Sequence, residues 1–513
     1  MAWNYETSKE RVEAHRDALP VIEIKKLERN ADLESLLSEA VCREIYGAHV
    51  YLEVANFSDL TAAAEDGGNL KPFLRALHIY QRQLSWIVEN LFEGVRVHFQ
   101  ASRMHVLFYR PIDDAEVLAA KAVLLMVVAR DFLRYVFNPL FPKGDNLTVR
   151  GGADIGTVIG TRNGMRGDRE LLFLGDAANH AAKIIDSGLR LTGRIYHVLP
   201  DDVREICEES DAAKKLYRVV PTMSKDDVVA LCDAHDIDWC RDDLSERIEA
   251  DLAALPLKDF EYSAAEVLID FDALSYRNSK RVLAASIFAD VSGFTKFIGS
   301  ATSDEAKVKA LEALHLMRVE FTRVARHDYN AVRVQFQGDR MQAILHLPAD
   351  DGQKISRKAV EVAIGLQSSM ELVIKDLIDG IGSLGLAVGV DIGVVVATKL
   401  GTRGHRDRIT VGGSVLGAAA NEERIDKRQI GVSSAVYDEL DDVVKEYFVL
   451  DDVAKCYVAT RLTAAVLERK AVAAGVYNAR TPVHIASTSA GISVTREEVG
   501  GASKVTPARS FGA

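Results

Sequence analysis

Asp290 closes the run SIFADV and is followed by Val291, Ser292, Gly293, Phe294 and Thr295, a loop of mostly small residues. Asp339 follows Gly338 between the runs VRVQFQ and MQAILHL, the pattern of a β-hairpin with Gly-Asp at its turn. If the two strands are neighbours, the carboxylates converge beside a row of backbone N–H groups. Hard divalent cations such as Mg2+ take oxygen ligands and bridge to substrate phosphates. Loops lined by N–H groups hold phosphate oxygens. A Gly-Asp pair is also an ordinary turn, and on these residues alone both readings stand.

The elements that would position the two acids occur twice. Residues 95–105 read VRVHFQASRMH and 332–342 read VRVQFQGDRMQ. Seven of these eleven positions agree, but Ala101-Ser102 stands where the second copy has Gly338-Asp339. The offset, 338 minus 101, is 237. FADVSGFTKF (288–297) against YLEVANFSDL (51–60) sets Asp290 opposite Glu53 at that same offset. So does VDIGVVVATKLGTRG (390–404) against ADIGTVIGTRNGMRG (153–167). Three separated blocks in one ungapped register indicate a tandem duplication.

Leu311, Leu314, Met317 and Phe321 recur at helical spacing after a Thr302 or Ser303 cap. Each unit therefore reads strand, helix, hairpin, helix, strand, hairpin. That order predicts an α+β unit with one antiparallel-rich sheet and helices on one face. The first unit is expected over 47–219 and the second over 284–465. Residues 1–46 read as amphipathic helix broken at Pro20, and 220–283 as a charged helical connector. In the segment 466–513, the end after about 480 is rich in Ser, Thr, Ala and Gly and is expected to be disordered.

Bulk properties narrow the class. The chain has 513 residues, 48% of them hydrophobic, enough for two or three domains. A net charge of −12 argues against a nucleic-acid binder, which usually shows a basic surface. Nucleotide binding stays open, because metal ions supply positive charge locally. The five scattered cysteines form no disulfide framework, so a cytoplasmic location is expected. The polar N-terminus lacks the apolar core of a signal peptide. AVLLMVVA (122–129) is too short to span a bilayer and reads as a buried helix. CDAHDIDWC gathers Cys232, His235 and Cys240, without the recurrent four-ligand spacing of zinc sites.

FADVSGFTKF followed by VRVQFQGDRM resembles the class III nucleotidyl cyclase catalytic domain, the adenylyl/guanylyl cyclase fold, over both repeats. The resemblance implies two tandem ferredoxin-like domains packed head-to-tail as an intrachain pseudodimer. It implies two Mg2+ or Mn2+ ions at Asp290, the adjoining Val291 and Asp339, and a triphosphate cradled by Ser292, Gly293, Phe294 and Thr295. In that family the opposite partner supplies an Asn and an Arg from a G-x-x-x-N-x-x-x-R helix. The first unit carries FLGDAANHAAKI, which keeps Gly175 and Asn179 and replaces the Arg by Lys183. In the second unit Leu416 and Ala420 take those places. Each half keeps what the other has lost, which implies one complete site and one dead one. Lys399, Arg403, Arg406 and Arg408 lie in or near the second unit's last hairpin. Arg403 is assigned to the phosphates, with a solvated hairpin as the alternative for each cation.

The family's base-reading positions fall on His98 and Leu172, which match neither the adenine nor the guanine code. This departure, with the N-terminal run NYETSKERV, resembles the bacterial pyrimidine cyclases of Pycsar anti-phage systems. It implies UTP, or less readily CTP, as substrate, and a cyclic nucleotide that acts on a separate effector protein. The alternatives are a purine nucleotide cyclase and an inactive nucleotide-sensing module.

Overall fold

A computed structural model describes residues 2–28, 32–66, 68–142, 146–164 and 170–473. It contains two nine-stranded sheets of identical strand order. In the first, Val41–Val54 lies between the hairpin Val95–Gln100/Arg103–Phe108 and the long strand Val149–Asn163. In the second, Ser279–Ser292 lies between Val332–Gln337/Arg340–Leu345 and Gly385–Thr402. The duplication read from three sequence blocks thus extends through the whole topology. The expected tail after residue 480 lies outside the described residues.

Helices cover both faces of each sheet, not one. Along Val41–Val54 successive side chains alternate. Val50, Leu52 and Val54 join the core beneath helices Leu70–Trp86 and Ala115–Phe132. The latter contains the apolar run at 122–129. Tyr51 points the other way, into a cluster with Ala177, Ala178, Ala181 and Ala182 of helix Asp176–Lys183. Small residues make this second face possible. A Cβ on Gly152 would lie 2.1 Å from the Ala181 carbonyl oxygen, and one on Gly389 would lie 2.1 Å from that of Ala418. A short alanine-rich helix shows little of the apolar stripe that marks a core helix, so its packing face is hard to read from pattern.

The two units exchange arms. Val396, Leu400, Ile409 and Val411, from the second unit's long hairpin, are buried in the first unit's core. Ile159, Leu172 and Leu174, from the first unit's hairpin, are buried in the second's. Each such side chain contributes about 1.5–3 kcal/mol by leaving water, so the halves hold each other face to face. Polar contacts fix the register. Gly401 N donates to His78 Nδ1 at 3.0 Å, and Arg96 pairs with Asp407 at 2.6 Å.

The flanks are duplicated as well. Helix Tyr5–Asp17 packs on the second unit, where Trp3 Nε1 donates to Ser369 Oγ at 2.9 Å and Arg11 pairs with Glu320 and Asp328. Helix Arg241–Ala254 packs on the first, with Asp251 accepting from Arg82 and Gln83. The helices correspond at an offset of 236, ERVEA (10–14) against ERIEA (246–250), while their docking residues Gln83 and Glu320 keep 237. Arg247 donates to Gln83 as Arg11 does to Glu320. The boundaries drawn from sequence therefore cut through elements. Residues 1–46 include the strand Glu23–Lys26 and the start of Val41–Val54, and 220–283 includes the start of Ser279–Ser292. Among the described residues no helix is long and apolar enough to cross a membrane.

Candidate active site

The register of strand Ser279–Ser292 against Arg340–Leu345 pairs Ala289 with Met341. Asp290, the next residue, therefore meets the turn that carries Asp339. Burial and the neighbouring Asp290 push the Asp339 carboxyl well above the usual carboxylate range. Two crowded carboxylates of this kind call for a cation between them. Gly293 then reverses the chain at φ +93°, a region that favours glycine, and starts the turn Phe294–Gly299. Asp290, Val291, Ser292, Gly293, Phe294, Thr295 and Asp339 line one cleft of about 520 Å³.

The first unit completes this cleft. In helix Asp176–Lys183 the alanines face inward, while Asp176, His180 and Lys183, spaced four and three apart, face outward. Asp176 and Lys183 line the cleft opposite the acids, and Lys183 lies close enough to favour the charged form of Asp339. Asn179, one turn earlier, is 4% exposed and is not among the residues lining the cleft wall. Arg403 is exposed in the turn between Gly385–Thr402 and His405–Val411, away from the cleft walls.

A second cavity, of about 480 Å³, opens at Gly338, next to Asp339, and contains His98 and Leu172. His98 is half-buried. Burial, with Arg96 and Arg318 nearby, pushes its ring down to about 3, so it is neutral. Its Nε2 lies 2.7 Å from Gln100 Nε2. The same cavity holds residues that sequence reasoning missed. Arg318, 2% exposed, lies with its guanidinium carbon 4.4 Å from the Phe336 ring centroid and pairs with Glu170 of the first unit. Arg333 donates to Glu170 at 2.7 Å, and Phe336 N donates to it as well. Arg318 Nε and Nη1 are buried without a protein partner. The available signal was the position of Arg318, four residues after Leu314 on the apolar face of its helix. Lys399, Arg406 and Arg408 also line this cavity, and Lys399 and Arg408 pair with Asp272.

The related site in the other half is built differently. Glu53 pairs with Arg103 and, at 2.8 Å, with Arg150. Burial raises the Glu53 carboxyl, but the two arginines outweigh it and hold it below the usual range. Guanidinium groups thus stand where cations would be needed, beside Ser102, Leu416 and Ala420. The duplicate of Arg103 is Arg340, and that of Arg150 is Ala387, each 237 residues on. Arg340 is drawn off by Glu422, at 2.8 Å and 2% side-chain exposure on both partners. One copy neutralises its acid internally, and the other places Asp290 and Asp339 together in the wall of a cleft. The donors at Asp290 and Asp339, all oxygen, suit Mg2+ or Mn2+.

Comparison with known proteins gives the same partition. The profile of the adenylate and guanylate cyclase catalytic domain matches residues 279–468, the acid-bearing unit. A uridylate cyclase of Pseudomonas aeruginosa is 30% identical over 87% of this chain and 88% of its own length. A uridylate cyclase of a Rhizobium species is 25% identical over 71% of this chain and 72% of its own. The crystal structure of a class III adenylyl cyclase-like ATP-binding protein from Pseudomonas aeruginosa superposes with a TM-score of 0.77 and 26% identity. That match covers 91% of this chain and 98% of the other.

Proposed function

The chain belongs to the class III nucleotide cyclase family, and from that premise we propose that it converts UTP to 3′,5′-cyclic UMP and pyrophosphate. In this reading the ribose 3′-oxygen attacks the α-phosphorus, the bond to the pyrophosphate oxygen breaks, and the 3′-proton leaves to solvent. Asp290, Val291 and Asp339 would hold two divalent cations, which would neutralise the triphosphate and acidify the 3′-hydroxyl. The backbone of Ser292–Thr295 receives phosphate oxygens. Lys183 faces the α-phosphoryl group and stabilises the charge that builds there. Asn179, one turn before Lys183 on the same helix, is assigned to orient the ribose, and Arg403 to the phosphates.

The observation that carries the choice of base is the buried guanidinium of Arg318 in the wall of the cavity beside Gly338, with Nε and Nη1 unpartnered. An unsatisfied buried donor costs about 1–3 kcal/mol. Uracil offers carbonyl acceptors at O2 and O4, whereas cytosine presents an amino donor at C4. Leu172 and Phe336 supply apolar walls for the ring. Guanine also offers acceptors, at O6 and N7, so GTP is the competing substrate. The relatives named uridylate cyclase favour UTP. The cyclic product would act as a messenger on a separate effector protein in anti-phage defence. All five cysteines are free, in keeping with a cytoplasmic enzyme.

Incubation with ATP, GTP, CTP and UTP separately, each with Mn2+, followed by chromatography of products, tests this reading. Cyclic UMP is expected to dominate. Dominant cyclic AMP or GMP would overturn the base assignment. Tight binding without turnover of any of the four would replace the enzyme by a nucleotide sensor.

A further inference from the structure

We propose that His15, Glu39 and His315 bind one divalent transition-metal ion of the Zn2+ class, and that this ion fastens the N-terminal segment onto the second unit. The three residues come from different places in the chain. His15 lies in the last turn of helix Tyr5–Asp17, Glu39 just before the strand Val41–Val54, and His315 within helix Asp304–Arg323. Their ligand atoms all lie within 4.8 Å of one another, and His315 Nε2 is 2.6 Å from Glu39 Oε1. A tetrahedral zinc with bonds near 2.0–2.1 Å needs donors roughly 3.3 Å apart. Side-chain tips therefore have to move by only about an ångström.

The two imidazoles are pre-set beside each other, with ring centroids 4.9 Å apart and planes 22° from parallel. His315 is 2% exposed, and His15 Nε2 is buried without a partner. Imidazole donors favour Zn2+, Co2+ or Ni2+ over the Mg2+ and Mn2+ suited to Asp290 and Asp339. Two His and one Glu leave a fourth position for water.

The duplication supplies an internal comparison. His315 minus 237 is His78 and Glu39 plus 237 is Tyr276. The flanking helices correspond at 236 (ERVEA, 10–14, against ERIEA, 246–250), so His15 is related to Asp251, which accepts from Arg82 and Gln83. His78 stands 5.0 Å from the Tyr276 ring and accepts from Gly401 N. One copy thus sets aromatic rings beside its histidine and ties the acid of its flanking helix to Arg82 and Gln83. The other adds a carboxylate and a second imidazole at the corresponding places. A core histidine needs neither addition, whereas a metal site needs both.

The full chain, stripped with EDTA and returned to excess Mg2+ so that the catalytic carboxylates are occupied, is titrated calorimetrically with ZnCl2. One Zn2+ per chain is expected, with a rise in Tm. His15→Ala and, separately, Glu39→Gln should each weaken that binding at least about tenfold and remove the Tm rise. Co2+ should give a visible absorption band of nitrogen-ligated, four-coordinate metal in the wild type only. A Cys232→Ser/Cys240→Ser variant should bind Zn2+ as the wild type does. The proposal is overturned if no Zn2+ binds, if both His15→Ala and Glu39→Gln bind it unchanged, or if the cysteine variant loses it. Two variants are used so that misfolding of one leaves the other to decide. Cyclase activity plays no part in the readout, so the result stands apart from the choice of nucleotide.

Discussion

Lys183, at the end of a helix in the first unit, faces Asp339, in a hairpin turn of the second, across a single cleft. Neither unit holds both residues. The exchange of hairpin arms between the cores sets this relationship, so the site is a property of the folded pair of units.

Asp290→Asn or Asp339→Asn should lower kcat by at least about a hundredfold, because either change removes charge that a cation requires. Glu53→Ala should leave kcat within a few-fold. It should still lower stability by roughly 1–3 kcal/mol, since Arg103 and Arg150 lose their partner. Pyrophosphate release and urea midpoints measured on the same preparations check both halves of the statement. Equal loss of activity in Glu53→Ala would contradict the division into one working and one silent site.

Glu422 keeps Arg340 away from the acids. Glu422→Gln should free that guanidinium to pair with Asp290, as Arg103 pairs with Glu53. The Mn2+ concentration for half-maximal rate should then rise by about tenfold, the equivalent of 1.4 kcal/mol. A Mn2+ titration of the variant reads this directly.

Lys183→Ala should reduce kcat by about 10²–10³, with a smaller change in KM, if the ammonium group acts mainly on charge that develops in the transition state. Lys183→Arg should restore much of the rate, because guanidinium offers a fork to phosphoryl oxygens.

Arg318→Met keeps the apolar stem over Phe336 and removes the donors. The UTP-to-CTP ratio of kcat/KM should fall by about tenfold or more, in line with the loss of one or two hydrogen bonds to carbonyl oxygen. Competition between the two nucleotides in one reaction measures the ratio without reference to enzyme concentration.

His49, His78 and His98 are each pushed down to about 3, chiefly by burial. In the unfolded chain they titrate near 6.5. Between these values the unfolded state binds more protons, so stability is full above pH 6.5 and is lost as pH falls toward 3. Each histidine contributes a slope of up to about 1.4 kcal/mol per pH unit. The urea midpoint should therefore fall more between pH 6.5 and 5.5 than between 7.5 and 6.5. Equal steps would contradict the neutral state of these rings in the folded chain.

The duplication was legible because the strands beside the active-site turns preserve residue identity in one register, and the acid pair stood out because that register sets Asp290 and Asp339 against Glu53 and Ser102. Asp290, Asp339 and Lys183 belong to those turns or to the helix beside them. The duplicated flanking helices were not legible. Tyr5–Asp17 and Arg241–Ala254 share only the short run ERVEA/ERIEA, at 236 rather than the 237 of the sheets, so a search in the sheets' register passes over them. Glu170 and Arg318 were missed for a different reason. They are 148 residues apart and meet only because the units exchange arms. The roles of Arg103 and Arg340 were hidden too, since their identical residues take opposite partners, Glu53 and Glu422.

The most direct test is anomalous diffraction from crystals grown with Mn2+ and a non-cyclising UTP analogue that lacks the 3′-hydroxyl. Manganese is expected between Asp290 and Asp339, with the uracil ring against Arg318, and no manganese at Glu53. Metal and nucleotide bound at Glu53 and Ser102 instead, or in both halves equally, would contradict the account.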